Sequence, residues 1–134
     1  MMSVEHAREQ TIKVGVPGVI QAPSPHANYG VVFEDDGATG YFYALDFAKD
    51  QNPIVDALHI YNAGEIVDRD RQSQVRLVWS RDGLKALLTI DGYPHAVFDF
   101  AACRGYCRTG FPPAITSWSA DGHGWDDNVL GFFQ

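Results

Sequence analysis

Long apolar runs are missing from this chain of 134 residues. No stretch approaches the roughly 18 residues of a membrane-spanning helix, so no membrane span is expected. The opening M-M-S-V-E-H-A-R-E-Q lacks the apolar block of a secretory signal. Cysteine is scarce: Cys103 and Cys107 are the full complement, too few for a disulfide-stapled scaffold, and the expectation is a cytoplasmic protein. Basic residues are also few. Ten Lys and Arg stand against 17 Asp and Glu, a formal charge of -7, which argues against nucleic acid as a direct partner.

Catalytic signatures are absent as well. No phosphate loop, nucleophile–base pair or closed metal-ligand set stands out. Cys103 and Cys107 are spaced more widely than C-x-x-C, and only the scattered His59, His95 and His123 offer nitrogen ligands. Free structural thiols, no metal and no cofactor are therefore expected. His95 and Asp99 would share a strand face about 13 Å apart, too far for a dyad. Glu34-Asp35-Asp36 precedes Gly37 without the alternating oxygen ligands of a calcium loop, and reads as a turn.

What is present describes a globular β protein. Hydrophobic content of 46% with 13 Gly and 7 Pro suits a turn-rich chain, and the length suits one domain over residues 1–134, with 1–10 as a frayed lead-in. The clearest signal lies in Gln74–Phe100, where three apolar-rich runs are separated by Asp82-Gly83 and Asp91-Gly92, two hairpin turns. A two-residue loop at Asp82-Gly83 pairs Val75 with Ile90, Leu77 with Leu88 and Trp79 with Ala86. At the second turn, a three-residue loop is chosen because it puts Ala96, Phe98 and Phe100 on the same face instead of His95 and Asp99. The expected core face is Val75, Leu77, Trp79, Leu84, Ala86, Leu88, Ala96, Phe98 and Phe100. The opposite face then carries an apolar stripe of Val78, Leu87 and Val97 that needs a cover, for which a C-terminal helix with Trp125, Val129, Leu130, Phe132 and Phe133 is suited.

Elsewhere, strands are expected over Thr11–Val16, Tyr29–Glu34 and Tyr41–Asp46. The segment from residue 53 to 61 reads as strand or, starting from Asn52-Pro53, helix; strand is preferred because the run is short. Gln21–Asn28, Glu65–Ser73 and the stretch after Phe100 read as loops. The fold expected is α+β, a β-dominated single domain built as one curled antiparallel sheet, a meander of hairpins, with a C-terminal helix.

Three runs carry a family resemblance: V-V-F-E-D-D-G-A-T-G-Y-F-Y-A-L-D at 31–46, D-A-L-H-I-Y-N at 56–62, and D-G-Y-P-H-A-V-F-D-F-A-A-C-R-G-Y-C-R-T-G-F-P-P at 91–113. Together they resemble a family of small bacterial proteins known only as domain of unknown function 2251. The resemblance implies a stand-alone bacterial, cytosolic protein. It supplies no catalytic residues.

Charge is unevenly spread. Glu34, Asp35, Asp36, Asp46, Asp50 and Asp56 lie near a single base, Lys49, whereas seven of the ten bases fall between Arg69 and Arg108. Two functional readings follow. The leading one is a non-catalytic protein that binds a basic protein partner through those six carboxylates, immunity- or antitoxin-like in character. The alternative is a binder of small anionic molecules, or an enzyme, with its site at Arg104, Tyr106 and Arg108 near His95 and His59. The residues leave the oligomeric state open.

Overall fold

The structure, a computed structural model, describes residues 4–66, 70–113 and 117–133. Its strands are β1 (Val4–Lys13), β2 (Gly18–Pro23), β3 (Tyr29–Asp35), β4 (Thr39–Asp46), β5 (Ile54–Asn62), β6 (Gln72–Ser80), β7 (Lys85–Ile90), β8 (Tyr93–Asp99) and β9 (Arg104–Cys107). They form two antiparallel sheets, a five-stranded one ordered β1-β6-β7-β8-β9 and a four-stranded one ordered β2-β3-β4-β5. Among the described residues no helix is long and apolar enough to cross a membrane.

The single curled sheet is thus corrected to two sheets packed face to face. The physical reason is burial on both sides of the core. Ile20, Val31, Phe33, Phe42 and Leu58 of one sheet join Val75, Leu77, Trp79, Leu88, Ala96 and Phe98 of the other in one cluster. Phe42 and Phe98 meet across it at 4.9 Å between ring centroids. Trp79 donates its indole N–H across the layer to the Ala22 carbonyl at 3.1 Å. Two sheets can each bury an apolar face this way.

The first hairpin has the expected register, with Val75 opposite Ile90, Leu77 opposite Leu88 and Trp79 opposite Ala86. The second combines both loop readings. Ile90 pairs with Tyr93 across a two-residue Asp91-Gly92 turn, Asp91 having φ 52° and Gly92 φ 81°. A bulge near His95 then shifts the ladder so that Leu88 faces Ala96 and Ala86 faces Phe98. The bulge keeps the phenylalanines inward. Of the nine expected core residues, all but the half-buried Leu84 are buried.

The C-terminal helix forms over Asp127–Phe133 with 3-10 geometry. It covers the stripe as anticipated: Val78, Leu87, Val97 and Val129 form a second buried cluster flanked by Trp125, Leu130, Phe132 and Phe133.

Three loop expectations are corrected. The lead-in expected to fray is, from Val4, strand β1, paired along β6 from Val4–Ser80 to Lys13–Gln72. Part of the loop expected at 21–28 is β2, paired with β3. Arg104–Cys107, expected as loop, is β9 on the edge of β8. Residues 67–69 of the expected Glu65–Ser73 loop lie outside the described residues, and Gln72 already belongs to β6. The preferred strand reading of residues 53–61 holds as β5.

Candidate functional site

The six carboxylates do not share one surface. Asp35 is 1% exposed and points inward, accepting hydrogen bonds from the Gly15 N–H and Gly37 N–H, each at 2.8 Å, and from the Tyr61 hydroxyl at 2.6 Å. It ties the β1–β2 turn, the β3–β4 turn and β5 together. Burial first, then this carboxylate, raises the Tyr61 phenol far above its ordinary value. Asp36 stays exposed and caps the turn through the Ala38 and Thr39 N–H groups, which lower its pKa. Glu34 sits on the outer face of β3, opposite Val19 and Tyr41. Asp46 lies at the far end of that hairpin, paired with Tyr29, and Asp50 in the exposed loop after it.

Asp56 is enclosed. Its side chain is 8% exposed and that of His123 is 1% exposed. His123 Nε2 lies 2.9 and 3.0 Å from the two Asp56 oxygens, while Nδ1 faces the Pro112 carbonyl. Both neighbours of the ring are oxygen acceptors, so it is held from two sides. Ser119 donates its hydroxyl to Asp56 at 2.9 Å and accepts from the Gly105 N–H. A Cβ at residue 105 would meet the Asp56 carboxylate at 2.8 Å, so this close approach requires glycine.

The residue types are those of a hydrolase triad but the connections are not. An acyl-transfer nucleophile hands its proton to the imidazole; Ser119 is turned to the carboxylate instead. The trio fastens the edge strands β5 and β9 to Pro112, Ser119 and His123. Beside it lies a cleft of about 190 Å³, lined by Ile54, Val55, Ala57, Pro112 and Pro113 with Asp56 and His123. No local signal could have revealed the pair, since Asp56 and His123 lie 67 residues apart.

The arginine loop is largely occupied by its own structure. Arg108 stacks 4.0 Å from the Trp125 ring and 4.8 Å from the Tyr93 ring, donates from Nε to the Pro94 carbonyl, and lies 3.9 Å from Asp127. Arg104 stacks on Tyr106 at 5.0 Å, and its buried Nε has no hydrogen-bond partner. His95 joins this group, edge-on to Tyr93 at 5.1 Å. His59 does not: it lies on the other sheet, edge-on to Tyr41, with Nε2 3.0 Å from Asn62. Cys103 and Cys107 are free thiols, the first exposed and the second buried. Among the described residues no cluster of His, Cys, Asp and Glu could hold a metal ion.

Burial, then the neighbouring Arg108 guanidinium, lowers His95 to about 4, against the opposing pull of Asp91. The unfolded chain would bind this proton near the ordinary value of about 6.5. His95 therefore leaves stability intact above that value and erodes it as pH falls toward 4, at no more than about 1.4 kcal/mol per pH unit. Urea titrations across that window should show His95→Gln with a shallower loss than wild type. Equal slopes would place the acid sensitivity elsewhere.

The four-stranded sheet has an open outer face. Inward Ile20, Val31, Phe33, Phe42 and Leu58 leave Val19, Val32, Glu34, Tyr41, Tyr43, Leu45 and His59 facing outward. Tyr41 and Tyr43 stack at 5.9 Å. Val19 is 49% and Ile54 45% exposed. The C-terminal helix covers the opposite sheet, and among the described residues no helix lies over this one.

No solved structure matches the chain. A protein of Haemophilus influenzae, described as an uncharacterized protein, is 43% identical over 105 residues, an alignment covering 78% of this chain and 65% of the relative. The chain thus spans less than two thirds of that relative's length. Residues 12–134 match the family described as an uncharacterized protein conserved in bacteria, DUF2251. The chain, whose runs at 31–46, 56–62 and 91–113 carry the resemblance, belongs to this bacterial family.

Proposed function

We propose that this protein works without catalysis, in the cytoplasm, as the binding partner of a basic protein. The observation that carries the reading is an imbalance in how charges are used. On the five-stranded sheet and its turns four bases meet carboxylates: Arg76 with Glu9, Arg71 with Asp91, Lys85 with Asp82, and Arg108 with Asp127 and two aromatic rings, while Arg8, Lys13 and Arg104 form no ion pair among the described residues. On the four-stranded sheet and its loops, Glu34, Asp36, Asp46 and Asp50 form no ion pair among the described residues. Unneutralised carboxylates beside an uncovered aromatic face suit a cationic surface. Free thiols suit a reducing compartment. The anionic-ligand reading has less support, because Arg108 already stacks on Trp125 and Tyr93 and bonds the Pro94 carbonyl.

The test is affinity capture with the full chain from its native bacterium, followed by association kinetics with whatever is retained. A basic protein is expected, with an association rate that falls steeply as salt rises past the point where screening acts within about 10 Å. Asp36→Asn, Asp46→Asn and Asp50→Asn together should slow association and leave dissociation nearly unchanged. A partner whose association ignores both salt and the triple substitution would overturn the reading. Asp35 and Asp56 are left out because their carboxylates hold the fold.

A further inference from the structure

Resting on the basic-partner reading, we infer that the open face of the four-stranded sheet holds a subsite for an arginine side chain of that partner. A shallow depression of about 310 Å³ lies there, lined by Val19, Val32, Glu34, Tyr43, Leu45 and Ile54. Its lining is apolar and aromatic except for the single Glu34 carboxylate. That composition matches a side chain with a long aliphatic stem and a cationic head. The stem lies over Val32 and Leu45, and the head reaches Glu34.

The register puts the groups close enough to act together. Val32 faces Tyr43 and Glu34 faces Tyr41, so Glu34 and Tyr43 are diagonal neighbours on one face. Burial and then the Glu34 charge raise the Tyr43 phenol. A planar guanidinium can stack on a tyrosine while its N–H groups meet a carboxylate, and it gives up water more readily than an ammonium. Arginine is therefore the cation this depression fits. Glu34 forms no ion pair with any described residue, and Lys49, the nearest base in sequence, is in the loop beyond β4.

The test uses the full chain, isotopically labelled, titrated with nona-arginine amide and with nona-citrulline amide, its neutral isostere. Backbone amides of Val19, Val32, Glu34, Tyr43, Leu45 and Ile54 should shift with arginine and not with citrulline. Glu34→Gln should weaken binding about tenfold, one charge pairing lost, while Asp50→Asn, the same change in net charge, should weaken it less than about twofold. Equal weakening by the two substitutions would overturn the subsite and leave the basic-partner reading standing. Shifts centred on the five-stranded sheet would overturn it as well. No shift with nona-arginine would sink both. Concentration-dependent broadening of Tyr43 without peptide would assign the face to a second copy of this chain, and would also overturn it.

Discussion

Asp35→Ala should destabilise the protein by about 3–4 kcal/mol, read as a fall in the urea midpoint with the slope unchanged. The carboxylate is the shared acceptor for the Gly15 N–H, the Gly37 N–H and the Tyr61 hydroxyl. Its loss strands three donors, each at about 1 kcal/mol or more when buried without a partner. Relief of the carboxylate's own desolvation does not offset this, because alanine brings no acceptor. Tyr61→Phe removes one donor and leaves the other two bonds, so a cost of about 1–2 kcal/mol is expected. A loss below about 1 kcal/mol for Asp35→Ala would mean that water enters and satisfies the turns.

The second large effect is at the Asp56–His123 pair. His123→Ala leaves Asp56 enclosed with only the Ser119 hydroxyl as a side-chain donor, and should cost about 3–5 kcal/mol. Asp56→Asn alone should also be costly, because an amide offers one acceptor oxygen where the carboxylate offers two to His123 Nε2 and the Ser119 hydroxyl. The double substitution should cost clearly less than the sum, with a coupling of about 2 kcal/mol from a four-protein urea cycle. Additive losses would show that the two side chains are neighbours without being partners. Neither change should alter the nona-arginine shifts of Val19, Val32, Glu34, Tyr43 and Leu45; Ile54 is left out of that comparison because it also lines the cleft beside the pair.

The hairpins were legible because their information is local. Asp82-Gly83 and the alternating residues around it determine which side chains face each other, and the stripe of Val78, Leu87 and Val97 announces its own cover. The bulge at His95 is half visible in the sequence: burial sets the register beyond it, but the turn itself is the shorter one, since burial of Ala96 and Phe98 cannot say where the extra residue sits. Of β1, the strand expected over Thr11–Val16 catches the last three residues and then overruns into the turn at 14–16; V-E-H-A-R-E-Q is too polar to look like a strand, and its partner β6 lies far along the chain. The same separation conceals the two-sheet architecture.

The candidate sites divide in the same way. The acidic excess of the segment from Gly30 to Ile60 was plain in composition. That Asp35 and Asp56 are internal was not, because adjacent carboxylates in a strand face opposite sides and only the packed fold says which side is inside. Arg104 and Arg108 lie close in sequence to Tyr106, yet Trp125, which occupies one face of Arg108, comes from a distant segment. His59 and His95 look alike in sequence and belong to different sheets.

The placement of β1 also bears on how the chain acquires its structure. β2 to β5 form an unbroken meander in which each strand pairs with the next. β1 must wait for a partner well beyond that meander: the side chains of Thr11 and Gln74 that bond across the pair are 63 residues apart. Closing so long an interval costs entropy before any ladder bond forms, so the order of events is set by topology more than by strand propensity. The four-stranded sheet can organise from neighbouring contacts, whereas the five-stranded sheet gains its first strand only by reaching back across the other sheet.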